Sequence, residues 1–134
     1  MMGFKTFEEL EVWKKGRELR NEISKTVKTF PKAEKYNLTL QILKSSRSVK
    51  ANIAEGFGRF HHQENIQFCR ISRGSLYETL EHIICSHDEE YISEEEFDKF
   101  KILFDNVLKL LNGYIAYLKK VSSAKQKGND PAAQ

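Results

Sequence analysis

Phe97, Phe100, Phe104, Val107, Leu111, Tyr114, Leu118 and Val121 follow one another at steps of three and four residues without interruption. That period places them on a single stripe of an α-helix, and a stripe of this length is buried only against other helices. Ser93, followed three residues later by Glu96, supplies the reciprocal capping pair that opens such a helix. A helical bundle is therefore the first expectation, and the rest of the chain is read for the partners this helix needs.

Three further segments carry the same period. Thr6 and Glu9 repeat the capping spacing, and Val12, Gly16, Leu19, Ile23, Thr26 and Phe30 form the stripe that follows, with Trp13 beside it. Pro31 ends this helix, because it lacks an N–H and clashes with the preceding turn. A second helix opens between Glu34 and Asn37 and reaches about Glu55, with Leu38, Ile42, Ser45, Val49 and Asn52 on one face and Gly56 as its left-handed cap. Asn52, polar on an apolar stripe, is the residue type that fixes register. The third helix, from about Gln63 to Ser86, carries Ile66, Cys69, Leu76, Leu80 and Ile83. Gly74 and Ser75 there, with small residues in helix two, are read as letting two backbones approach closely.

No alternating strand pattern appears, so the fold class is all-α. Short loops between four helices favour an antiparallel up-down-up-down four-helix bundle. The 134 residues suit one domain, taken as 1–121, with a mobile tail at 122–134 where periodicity stops. In the last helix Leu103, Leu110 and Tyr117 form a second apolar row seven residues apart. One interior does not cover both rows, so these three are assigned to an oligomer interface.

Charge is distributed unevenly. Residues 1–60 carry 13 Lys/Arg against 7 Asp/Glu, residues 61–98 carry 2 against 10, and residues 99–134 carry 7 against 2. A molecule so polarised steers a polyanion to one surface. The expected nucleic-acid contacts are Lys44, Arg47, Lys50, Arg59, Arg70 and Arg73, touching phosphates without reading sequence. The run Gly56 to His62 interleaves glycine, aromatic, cationic and titratable residues, which suits base stacking or, alternatively, a helix cap with its phenylalanines in the core.

Catalytic chemistry finds no support. Glu78, His82, Cys85 and His87 lie near one edge of helix three, but no paired metal motif, nucleophile elbow or phosphate loop is present, so no catalytic residue, metal or cofactor is assigned. Cys69 and Cys85, about four turns apart on one helix, are read as reduced thiols. Met1 to Glu9 contain Lys5, Glu8 and Glu9 and no apolar run, and Leu110 to Leu118 is too short to span a bilayer. The expected compartment is the cytoplasm.

Three blocks of sequence resemble a known family. Phe7-Glu-Glu-Leu-Glu-Val-Trp13, Ser48-Val-Lys-Ala-Asn-Ile-Ala-Glu-Gly56 with Gly58 and Arg59, and Phe68-Cys-Arg-Ile-Ser-Arg-Gly-Ser-Leu-Tyr-Glu78 are similar to the 23S ribosomal RNA intervening-sequence proteins, whose relatives include the accessory variability determinants of diversity-generating retroelements. The resemblance covers Phe7 to about Lys120. It implies a four-helix bundle assembled as a homo-oligomeric ring, a pentamer by preference, with a basic surface for RNA or DNA and, in retroelement members, a reverse transcriptase partner. Gln41-Ile-Leu-Lys44 stands where such proteins often show Gln-Ile-Arg-Arg, which implies one phosphate contact fewer. The other reading, from a different class, is a protein-interaction scaffold whose charges serve solubility and subunit contacts.

Overall fold

The computed structural model describes residues 3–128, with side chains described from 3 to 124. The described residues form four α-helices, α1 (Glu11–Thr26), α2 (Leu38–Phe57), α3 (His62–Asp88) and α4 (Glu94–Gly128), and no strand. Each packs on its neighbours in sequence, and α1 also packs on α4. None of the described helices is long and apolar enough to cross a membrane.

The cap at Ser93 forms as its spacing requires. The Ser93 N–H donates to Glu96 Oε1 at 3.0 Å and the Glu96 N–H donates to Ser93 Oγ at 3.1 Å, so two otherwise orphaned donors of α4 are satisfied. The cap at Thr6 works differently. Its hydroxyl accepts from the Glu8 N–H at 3.4 Å and opens only a single 3-10 turn, Phe7–Glu9, while the Glu9 carboxylate accepts from the Lys5 N–H at 2.7 Å. Leu10 is extended, and α1 begins one residue later. At the far end α1 tightens into another 3-10 turn, Val27–Thr29, which buries Val27 and Phe30 before Pro31. α4 continues to Gly128, past Val121, so residues 122–128 of the expected tail are helical. Residues 129–134 lie outside the described residues.

The interior is built from all four stripes. Leu19, Val49, Ile53, Cys69, Leu76, Val107 and Leu111 are fully shielded from solvent. On α2 the core position belongs to Ile53 and not to Asn52, which sits half-buried with its Nδ2 donating to Ser48 O and Oγ at 2.9 and 2.8 Å. The α2–α3 contact is lined by hydroxyls. Ser72 Oγ donates to Val49 O at 2.6 Å, Ser75 Oγ donates to Ser48 Oγ at 2.9 Å, and Thr79 Oγ1 lies 2.9 Å from Ser45 Oγ. Burying a hydroxyl without a partner costs free energy, and here every one of these is matched.

Gly56 is not a left-handed cap, since no described glycine has a positive φ. It is a buried helical residue facing α3, and a Cβ on it would lie 2.6 Å from Asn65 Oδ1 and 2.8 Å from Phe68 Cβ. Glycine is required there for the close approach of two helices. Gly56→Ala is expected to destabilise the fold by about 1–3 kcal/mol, the usual range for overpacking, read as a lower urea midpoint with an unchanged slope. Gly74 plays no such part, because a Cβ on it would meet nothing within 4 Å. The left-handed conformation occurs at Glu90 instead (φ 62°), where Tyr91 N–H donates to Ser86 O and Glu90 N–H to His87 O to terminate α3.

The row assigned to an interface does not run wholly outside. Leu103 is buried in the core, Leu110 is half-buried and Tyr117 is 42% exposed. The reason is geometric, because residues seven apart fall back by about 20° per step on a straight helix. The row starts inside the bundle and emerges only toward its C-terminal end.

Candidate nucleic-acid interface

Gly16 sets the geometry of the α1–α2 face. A Cβ there would lie 3.4 Å from Lys50 Cβ and 3.6 Å from Val49 Cγ1, so the two helices lie near contact and the Lys50 side chain rises beside α1. Its ammonium sits 5.7 Å from the centre of the Trp13 ring, and the Arg17 guanidinium lies at the same distance from that ring. Phe7 packs edge-on against Trp13 at 5.1 Å and holds the indole in place. Cations at this range are attracted to the face of an indole.

Lys50 has its pKa pushed below the ordinary lysine value, first by burial and then by the neighbouring charges of Arg20, Arg17 and Arg47. Arg17, Arg20, Arg47 and Lys50 thus form one electrostatic cluster drawn from two helices. None of them is in an ion pair among the described residues. The cations around them are different: Lys14 pairs with Glu11, Lys15 with Glu18, Lys25 with Glu22, and Lys99 of α4 also reaches Glu22 at 3.3 Å. Arg20 donates through Nη1 to Asn21 Oδ1 at 3.1 Å, but its buried Nε has no acceptor. Like charges held together create a site that an anion would relieve.

Of the six contacts expected from sequence, Arg47 and Lys50 are in this cluster. Lys44 is exposed one turn from Arg47 on α2. Arg59 is engaged elsewhere, lying 3.2 Å from Glu55 and 3.9 Å from Glu64 and stacked over Phe68 at 4.7 Å. Arg70 is exposed on α3, and Arg73 donates to Asn112 of α4 at 2.8 Å, so this pair lies on elements other than those that build the cluster. Sequence reading passed over Arg17 and Arg20. The available signal is their spacing, Trp13, Arg17 and Arg20 at steps of four and three, which puts an aromatic and two cations on one helical face.

Two other regions carry reactive or apolar groups. On α3 the His82 Nε2 lies 3.3 Å from Glu78 and the Cys85 thiol 3.6 Å from Glu81, yet no group of three metal-ligating side chains occurs among the described residues. Both cysteines are free thiols. Burial pushes the Cys69 thiol up to about 12, which leaves it unreactive, and Cys85 is half-buried. Between the start of α1 and α4 an apolar groove of about 630 Å³ is lined by Phe4, Leu10, Val12, Leu110, Tyr114 and Tyr117.

Residues 8–113 match the pattern of the 23S rRNA-intervening sequence protein family. No curated protein matches the chain. Among solved structures, a protein of unknown function from the S23 ribosomal protein family of Bacteroides thetaiotaomicron VPI-5482 is similar, with 25% identity and a TM-score of 0.72, over 78% of this chain and 95% of that one. The family pattern takes in Trp13, Arg17, Arg20, Arg47 and Lys50, the matched structure shares the fold, and the chain belongs to the 23S rRNA-intervening sequence protein family.

Proposed function

We propose that this protein is a non-catalytic, cytoplasmic nucleic-acid-binding accessory protein that works as a homo-oligomer and holds phosphates on its α1–α2 face. The observation that carries the proposal is the cluster in which Arg17, Arg20 and Arg47 bear on Lys50, with Arg17 and Lys50 over Trp13 and no carboxylate partner for any of the four among the described residues. A surface designed only for solubility interleaves both signs, as the Lys14 and Lys15 pairs do nearby. Lys44 extends the patch, while Arg59, Arg70 and Arg73 stand apart from it. The family's description, which ties it to 23S rRNA, agrees with an RNA ligand.

An up-down-up-down course is supported by paired contacts that run in opposite chain directions. Gln63 meets Ser122 and Arg73 meets Asn112 between α3 and α4, and Glu22 meets Lys99 between α1 and α4. Assembly into a ring is supported by apolar surface on α4 and α3 that one copy leaves open, with Ile102 62%, Tyr77 52% and Ile71 46% exposed. Several copies in a ring present their clusters together and convert weak single contacts into avidity. The apolar groove beside α4 favours the second reading, a scaffold for proteins.

Two measurements separate the readings. Light scattering behind a sizing column is expected to give a small multiple of 15.6 kDa, with five copies preferred; a monomer at micromolar concentration removes the ring. Anisotropy of a labelled RNA is expected to show log affinity falling by roughly 0.7–0.9 per phosphate contact for each log unit of salt. Affinity independent of salt, or none, leaves the scaffold reading.

A further inference from the structure

We infer that the end of the bundle where the α2–α3 turn meets α4 holds one unpaired nucleobase stacked on Phe60, and that the protein therefore prefers single-stranded to duplex nucleic acid. The inference rests on the phosphate-binding reading above and adds a second, chemically different contact to it.

The turn between Phe57 and His62 carries two phenylalanines with opposite fates. Phe57 packs against the core, whereas Phe60 is 87% exposed, the most open of the large apolar side chains among the described residues. A helix cap that merely tucks its aromatics away accounts for Phe57 and not for Phe60. His61 stands edge-on to the Phe60 ring at 5.2 Å and 85°. Beside them lies a pocket of about 170 Å³ whose lining includes Arg59, Phe60, His62, Asn65 and Tyr114. Its scale suits one planar heterocycle and excludes a helix, whose diameter is about 10 Å.

The pocket also carries polar groups at its rim. Arg59 is tied to Glu55 and Glu64 and stacks over Phe68, so it braces the turn instead of competing for phosphate. Asn65 is buried, and its Nδ2 donates to the Tyr114 hydroxyl at 3.1 Å. That hydroxyl donates to no described residue, which leaves its proton for an acceptor on a base edge. Bases are read in this way, by an aromatic platform with a few hydrogen-bonding groups at its rim, and only unpaired bases present their faces to it. Lys50 and Phe57, the last residue of α2, lie two turns apart, about 10 Å along the axis, so the turn begins within the span of a few nucleotides from the cationic cluster.

The test uses the intact protein and four probes of equal length: oligothymidylate, oligouridylate, the same strand with abasic sites in place of bases, and a duplex. Phe60→Ala is expected to weaken binding to both base-bearing strands by about 5- to 160-fold, the span of one lost base stack, while leaving abasic and duplex binding unchanged. Phe60→Trp is expected to restore affinity, and 2-aminopurine in the strand should lose fluorescence on binding the wild type and regain it with Phe60→Ala. Because Phe60 is exposed, circular dichroism should not change. Equal loss on all four probes, or no loss on any, overturns the base pocket while phosphate binding stands. A fall in oligomer mass with Phe60→Ala assigns the ring to a subunit contact and overturns it too. Absence of binding by the wild type to every probe overturns both this inference and the phosphate reading.

Discussion

Leu111→Ala is expected to lower the free energy of unfolding by about 2–5 kcal/mol, the range found when a buried leucine is cut back to a methyl. Leu111 is fully shielded from solvent, in the same shielded interior as Leu19 of α1, Val49 and Ile53 of α2, and Cys69 and Leu76 of α3. Every helix contributes to that interior, so the cavity has no single soft wall that would collapse into it. Ile102, on the same helix and equally apolar, is 62% exposed. Ile102→Ala is expected to change stability by no more than about 0.5 kcal/mol in the separated chain. Urea unfolding at protein concentrations low enough to keep the chain monomeric measures both, since association would otherwise shift the midpoint. A loss for Leu111→Ala under about 1 kcal/mol, or an equal loss for both variants, would contradict the placement of the core.

The same helix shows what the sequence makes legible. Phe100, Phe104, Val107, Leu111 and Leu118 are buried where the three-four spacing puts them, because burial on one face of a regular helix is a local consequence of its period. Leu103 and Ile115 lie on the flanks of that stripe and are buried as well, since α1 and α3 cover more of α4 than a narrow seam. Period alone does not give the width of the covered arc. Gly56 departs from its sequence expectation for a related reason: a glycine near a helix end has the same sequence signature whether it relaxes φ or admits a neighbouring helix, and only the Asn65 and Phe68 contacts decide. Asn52 and Ile53 differ by one position, within the accuracy with which a short mixed stripe can be phased.

The cationic site was half legible. Arg47 and Lys50 stand one turn apart on α2 and are visible together in the sequence. Sequence does not single out Arg17 and Arg20, because their relation to Lys50 arises from the packing of α1 on α2 at Gly16 and is absent from either segment alone. Arg59 failed in the opposite sense, since Glu55 precedes it by one helical turn and claims it.

Replacing Arg17, Arg20, Arg47 and Lys50 together by glutamine is expected to reduce affinity for RNA on the order of 100-fold at physiological salt and to flatten the log–log salt dependence by roughly 3, four phosphate contacts at about 0.7–0.9 each. The loss should be uniform across unrelated sequences, because phosphate contacts position a strand without reading it. Helicity and oligomer mass should not change, and folding stability should stay level or rise slightly, since the substitution removes repulsion among like charges and breaks no ion pair among the described residues. Lys50 adds a pH signature. Burial and its three arginine neighbours lower its pKa in the free protein, whereas a bound phosphate favours the charged ammonium and raises it again. Binding is then coupled to proton uptake, so wild-type affinity is highest below the lowered pKa and declines as pH rises through it, at lower pH than an ordinary lysine would allow. Lys50→Gln alone should abolish that decline while retaining most of the salt dependence. Arg70→Gln with Arg73→Gln serves as the control, because Arg70 and Arg73 stand on α3 and the latter is already engaged by Asn112. If that control weakened binding as much as the fourfold variant did, the phosphate face would have to be moved from α1 and α2 to α3.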